Sequence, residues 1–220
     1  MSRKSAILDI DGTLIDSNDA HARAWVDAGD EFGFDVAFDQ VRPLIGMGGD
    51  IVLHTLSGLR ASDPEGGRFK QRAGEIFRDR YLPGLDPMPG ARALLRRLET
   101  DGIRRVVATS ASPDDVVALL KQAGVHDLVE KTTSAGDVDE SKPAPDIVEE
   151  ALKQAGCAPR QAVMLGDTPY DIDAASKAGV PIVALRCGGG WNDEDLRGAD
   201  AIFDDPADVL DHYDQLPFAK

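Results

Sequence analysis

The sequence predicts an α/β fold: a parallel sheet with helices between its strands, interrupted early by an all-helical insert. Three observations carry this. Short apolar runs without clean alternation recur along the chain, the pattern of strands buried on both faces. Between them lie segments whose apolar residues repeat at helical spacing. Residues 17 to about 86 hold helical patterns and no convincing strand.

The strands are expected at 6–10 (AILDI), 104–110 (RRVVATS), 162–167 (AVMLGD), 181–186 (PIVALR) and 201–203 (AIF). Helices are expected at 91–102, where Leu94, Leu95 and Leu98 share a face, and at 114–124, 145–156 and 170–179. These four stop at Gly102, Gly124, Gly156 and Gly179, the signal of a left-handed helix cap. Within the insert, 18–33 and 65–82 read as helices, with shorter pieces near 37–45 and 50–59. Its second crossing, LPGLDPMPG (82–90), has three prolines and two glycines and suits a hinge. The chain therefore divides into a core, 1–16 and 87–220, and an insert, 17–86.

A length of 220 residues suits one core with a small insert. The formal net charge of −15 makes DNA or RNA an unfavourable partner, and a small anionic substrate would need a local cation. No apolar stretch is long enough to cross a membrane, and the run after MSRKS is too short for a signal peptide. Cys157 and Cys187 lack a CxxC spacing and read as two reduced thiols in a cytoplasmic protein. No oligomeric interface is legible, and a monomer is the default.

In an open parallel sheet, ligands bind at the carboxyl ends of the strands. Four polar signals fall there or at the next helix start: Asp9 with Asp11, Thr109 with Ser110, Lys142, and Asp167. Asp11-Gly12 between apolar stretches is also a hairpin signal. In extended chain Asp9 and Asp11 point the same way, so a divalent cation would relieve their repulsion. Mg²⁺ prefers such hard oxygen ligands. Ser112-Pro113-Asp114-Asp115 reads as a helix start, and Thr168-Pro169-Tyr170-Asp171 as a capping box. The chain has no GxxxxGKS loop, no strand-GxGxxG-helix and no GxSxG elbow. His21, His54, His126 and His212 have no zinc spacing.

The segments DIDGTLIDS (9–17), ATSAS (108–112), SKPAPDI (141–147) and GDTPYDIDAASKAG (166–179), in this order, resemble the four motifs of the haloacid dehalogenase superfamily. The resemblance covers essentially the whole chain. It implies a doubly wound, Rossmann-like parallel core with an inserted all-helical cap, as in phosphoglycolate phosphatases and β-phosphoglucomutases. It also implies a Mg²⁺-dependent hydrolase that acts on a small phosphorylated metabolite through an aspartyl-phosphate, phosphoglycolate phosphatase-like. Asp9 is then the nucleophile, and Asp11 the general acid and later the base. Ser110 and Ala111 bind the phosphate, and Lys142 compensates its charge. Mg²⁺ is held by Asp9, Asp167 and Asp11, the last through its backbone carbonyl. Asp171 orients Lys142 or a metal-bound water.

Dehalogenation is disfavoured, because the family's dehalogenases lack the acid that stands here at Asp11. Phosphoglucomutase-like transfer is the runner-up. DSNDAHARAW (16–25) is similar to that branch, with His21 and Trp25 on one helix face. The branch's cap arginine is replaced here by Met47, and its asparagine after the second motif by Asp114. A catalytically silent module that binds a phosphometabolite is the alternative outside enzymes. In the cap, Arg42 and Gly46 of RPLIGMGGD (42–50) are expected to contact substrate, and opening of the cap would admit it.

Overall fold

The computed structural model describes residues 4–216, so the reading of the first three residues as part of a non-signal N-terminus lies outside the described residues. In chain order the elements are β1 (Ser5–Leu8), α1 (Asn18–Phe32), α2 (Phe38–Val41), α3 (Gly49–Ser57), α4 (Pro64–Ile76), α5 (Ala91–Thr100), β2 (Arg104–Ala108), α6 (Pro113–Gln122), β3 (Lys131–Thr133), α7 (Asp146–Ala155), β4 (Ala162–Gly166), α8 (Pro169–Ala178), β5 (Ile182–Leu185), β6 (Ala201–Phe203) and α9 (Pro206–Asp211). The six strands form one parallel sheet in the order β3-β2-β1-β4-β5-β6.

Alternation within each strand sends side chains to opposite faces. Ala6 and Leu8 of β1 join an apolar cluster with α5, α6 and α9, whereas Ile7 joins a second cluster with α7 and α8. Helices thus cover both faces, which is why the strands read as continuous apolar runs. The four glycines expected to end helices all adopt left-handed φ, between 61° and 71°. Two elements lack the expected signals. β3 is an edge strand, Lys131-Thr132-Thr133, whose first two side chains are exposed, so it needs no apolar run. α9 has only 6 residues, started by Asp205, whose side chain accepts from the N–H groups of Ala207 and Asp208.

Between β1 and α5 the chain forms helices and turns and contributes no strand to the sheet. Its centre is Phe69 of α4, which meets Trp25 edge-on at 5.4 Å and stacks near Phe32 and Phe34 at 5.3 and 5.1 Å. Such aromatic pairs contribute about 0.5–1.5 kcal/mol each beyond the area they bury. α4 runs on through one π turn, Phe77–Tyr81. The two crossings between insert and sheet lie side by side. Asp16 N donates to Asp86 O (3.0 Å), and Met88 N donates to Leu14 O (3.0 Å). No helix among the described residues is long and apolar enough to cross a membrane.

Candidate active site

The strand order reverses between β1 and β4, and the crevice beyond their carboxyl ends is where such sheets bind ligands. Leu8 pairs with Leu165 across these strands, and Asp9 N donates to Leu165 O at 2.9 Å. Asp9 and Asp167, each directly following its strand's end, therefore emerge together. Gly12 turns the chain with φ of 72°, and a Cβ there would collide with the Asp167 carboxylate and the Asn18 amide. A Cβ on Gly188 would also strike the Asp167 carboxylate. Asp11-Gly12 is accordingly not a hairpin turn, since β1 pairs only with β2 and β4, both parallel. Gly188→Ala is expected to displace Asp167 and lower kcat/KM about 10²-fold, the cost of misplacing a reacting group by about 1 Å. Steady-state kinetics against Mg²⁺ concentration check this.

Lys142 is 1% exposed, and its Nζ lies 2.7 Å from Asp9 Oδ1 and 2.7 Å from Asp171 Oδ1. Asp171 Oδ2 accepts from Thr168 N (3.1 Å) and Thr168 Oγ1 (2.7 Å), which fixes the carboxylate against the start of α8. Asp167 accepts from Asn18 Nδ2 (2.8 Å) and Thr13 Oγ1 (3.1 Å). Asp9, Asp167 and Asp171 each offer an oxygen, and these atoms lie within 4.8 Å of one another.

One buried ammonium faces three buried carboxylates. Burial pushes the Asp9 carboxyl well above its ordinary value, against the pull of Lys142. Burial, then Asp171, raises Asp167 to about 7 despite the bonds from Asn18 and Thr13. Burial opposes the charge on Lys142, but Asp171 and Asp9 outweigh it and hold its pKa above the usual lysine range. The uncompensated, all-oxygen donor set fits a hard divalent cation such as Mg²⁺.

Asp167 makes the stability of the fold depend on pH. Its folded pKa lies above the unfolded value of about 3.9, so the folded state holds the proton more tightly. Stability of the metal-free protein should fall as pH rises from about 4 to 7. Mg²⁺ should therefore raise Tm more at pH 8 than at pH 5.5, as thermal unfolding with and without the ion would show.

The Asp11 side chain stands apart from the three clustered carboxylates. Its carboxylate accepts from Ser17 Oγ (2.5 Å) and lies 2.9 Å from His21 Nε2, and it is not among the three clustered carboxylates, where Asp171 stands instead. Burial would raise its pKa, but His21 and Ser17 outweigh burial and hold it below the ordinary range. This arrangement keeps Asp11 ionised, the form a base needs. His21 is itself fixed by stacking on Phe77, with ring centroids 3.7 Å apart.

The two hydroxyls after β2 differ in a way the sequence does not reveal. Thr109 Oγ1 accepts from Ala111 N at 3.1 Å, whereas Ser110 Oγ is buried without a hydrogen-bond partner. An orphaned buried hydroxyl costs roughly 1–3 kcal/mol, which a bound acceptor would relieve. Ser110, Ala111, Asp9, Asp11 and Gly46 line one cavity of about 550 Å³ between sheet and insert.

Arg42 is engaged by protein groups. It does not line this cavity. Its Nε donates to Asp19 Oδ1 (2.6 Å), and its Nη2 donates to the carbonyls of Gly188 and Gly189. The 3₁₀ turn Arg42–Leu44 carries the side chain onto the loop after β5, where it fastens insert to core. The glycines of this segment serve the same docking. A Cβ on Gly46 would crowd Thr168, and one on Gly48 would crowd Ser141. Thr13, Ser17 and Asn18 hold the two acids in place, yet nothing in the sequence marks their side chains as site groups: Thr13 and Ser17 lie within the first motif and Asn18 directly follows it.

A profile of the family described as haloacid dehalogenase-like hydrolase matches residues 6–185. A phosphoglycolate phosphatase of Rhodospirillum rubrum is 31% identical over 223 residues, which cover 94% of this chain and 90% of that protein. The crystal structure of a hydrolase from Pseudomonas syringae superposes with a TM-score of 0.89 and 29% identity, covering 97% of this chain and 99% of that one. That of a mutant CbbY from Rhodobacter sphaeroides, in complex with xylulose-(1,5)bisphosphate, superposes with a TM-score of 0.81 and 25% identity, covering 94% of this chain and 96% of that one.

Proposed function

Because the chain belongs to the haloacid dehalogenase-like hydrolase family and is a phosphoric monoester hydrolase, we propose that it hydrolyses a small phosphate monoester through an aspartyl-phosphate on Asp9, with Mg²⁺. One observation carries this reading: Asp9, gripped by Lys142 on one oxygen, lines the same cavity as the unpartnered hydroxyl of Ser110.

Mg²⁺ bound by Asp9, Asp167 and the Asp11 backbone carbonyl would neutralise charge on the phosphate and on its attacker. The protein's own groups do the rest. Ser110 Oγ and Lys142 hold phosphate oxygens. A carboxylate oxygen of Asp9 forms a bond to phosphorus as the ester P–O bond breaks. The leaving alkoxide takes a proton from Asp11, which must first be protonated against the influence of Ser17 and His21. Asp11, ionised again, accepts a proton from the water that attacks phosphorus and frees Asp9. Asp171 steadies Lys142 throughout. Closure of the insert over the cavity keeps other water out.

With p-nitrophenyl phosphate, activity should vanish on chelation and return with Mg²⁺. No turnover across a broad panel of monoesters in Mg²⁺ would overturn the reading in favour of a phosphometabolite-binding module.

A further inference from the structure

The cavity wall has a charge pattern that the reacting groups do not account for. Besides Asp9 and Asp11, it carries four carboxylates, Asp50, Asp114, Asp115 and Asp139, and two permanent cations, Lys70 and Arg78. Both cations are already engaged. Lys70 Nζ is paired with Asp50, and Arg78 Nη1 donates to Asp115 Oδ1 at 2.8 Å. The third basic group in the wall, His21, faces Asp11. Arg42, a further cation of the insert, points to the carbonyls of Gly188 and Gly189. Asp114 and Asp139 have no cation within ion-pair distance among the described residues, so the wall is net negative where the rest of the substrate must lie.

A carboxylate or second phosphate on the substrate would meet cations whose charge is already shared with acids. To bind it, Lys70 or Arg78 would divide its charge between that group and its present carboxylate partner, while the remaining carboxylates of the wall repel it. Hydroxyl groups, in contrast, donate well to carboxylates, and such charge-assisted bonds are the strong kind. Ser141 and Gln71 add neutral polar partners in the same wall. The volume, about 550 Å³, is sufficient for a sugar-sized group. We propose that this wall of the cavity selects an uncharged, hydroxyl-rich alcohol, so that the substrate is a sugar or polyol monophosphate rather than a phosphorylated acid or a bisphosphate. Asp114 and Asp139 are the specificity-determining residues. The inference rests on the phosphatase reading above.

The test compares kcat/KM for sorbitol 6-phosphate, phosphoglycolate and fructose 1,6-bisphosphate, with p-nitrophenyl phosphate as reference, all with Mg²⁺. The expected result at low salt is a preference of about tenfold or more for sorbitol 6-phosphate over both anionic substrates. Salt screens the repulsion, so this ratio should shrink at about 0.3 M KCl. In the double variant Asp114→Asn/Asp139→Asn it should shrink about fivefold, chiefly through faster turnover of phosphoglycolate. The salt series on the wild type stands even if the variant fails to fold. Phosphoglycolate or the bisphosphate equal to or better than sorbitol 6-phosphate overturns the inference, as does a ratio indifferent to both salt and the variant. If p-nitrophenyl phosphate is hydrolysed while phosphoglycolate leads, only this inference falls. If no phosphate is hydrolysed, the phosphatase reading falls and takes the inference with it.

Discussion

Asp9→Asn is expected to abolish turnover, by roughly 10⁴-fold or more, while leaving the protein folded. A neutral amide cannot form the acyl-phosphate bond, and losses of this order follow removal of a covalent nucleophile elsewhere. The change also removes one of three carboxylates that crowd a single ammonium. Asp9 has its pKa raised by burial, so its ionised form disfavours the folded state as pH rises above the unfolded value of about 3.9. Without metal at pH 8, the variant should therefore unfold at the wild-type temperature or above it. Phosphate release and a thermal melt on one sample check both parts. A melt far below wild type would mean that inactivity reflects unfolding rather than lost chemistry.

Lys142→Met is expected to have the largest effect on stability. The side chain is buried between Asp9 and Asp171, and removing it leaves two carboxylates without their cation. Breaking a buried pair in this way costs about 3–5 kcal/mol, a fall in Tm of roughly 6–20 °C for a chain of this size. The pH dependence has a definite sign. In the wild type the folded pKa of Lys142 is raised, so its contribution is complete below about 10.4 and lost only above that. In the variant, Asp9 loses the pull of that cation and holds its proton tighter still than in the unfolded chain, so the deficit should widen from pH 5 to pH 8. A melt series over that range measures it. A uniform, pH-independent loss would point to packing instead.

Much of this centre is legible in the sequence because the chemistry sits at strand ends. Asp9, Ser110 and Asp167 each follow a short apolar run, and in a parallel sheet such ends share one edge. Strand β3 is not legible, because an edge strand with exposed Lys131 and Thr132 has no buried face to announce it. Side-chain aim is also invisible. Asn18 finds Asp167 across 149 residues of sequence. Asp11 turns from the clustered carboxylates because Ser17 and His21 claim it. Arg42 looked like a substrate contact, since a cation in a glycine-rich loop invites that reading. Its partners are the backbone carbonyls of Gly188 and Gly189, which carry no residue signature.

The two covalent crossings between core and helical insert, at Leu14–Asp16 and Asp86–Met88, are hydrogen-bonded into one narrow stalk. A swing about that stalk bends two adjacent peptide segments and leaves their mutual hydrogen bonds whole, whereas sliding along it would break them. A tether joining the two halves of the stalk would thus leave the swing free. One joining residue 42 to residue 189, out on the rim, would lock it.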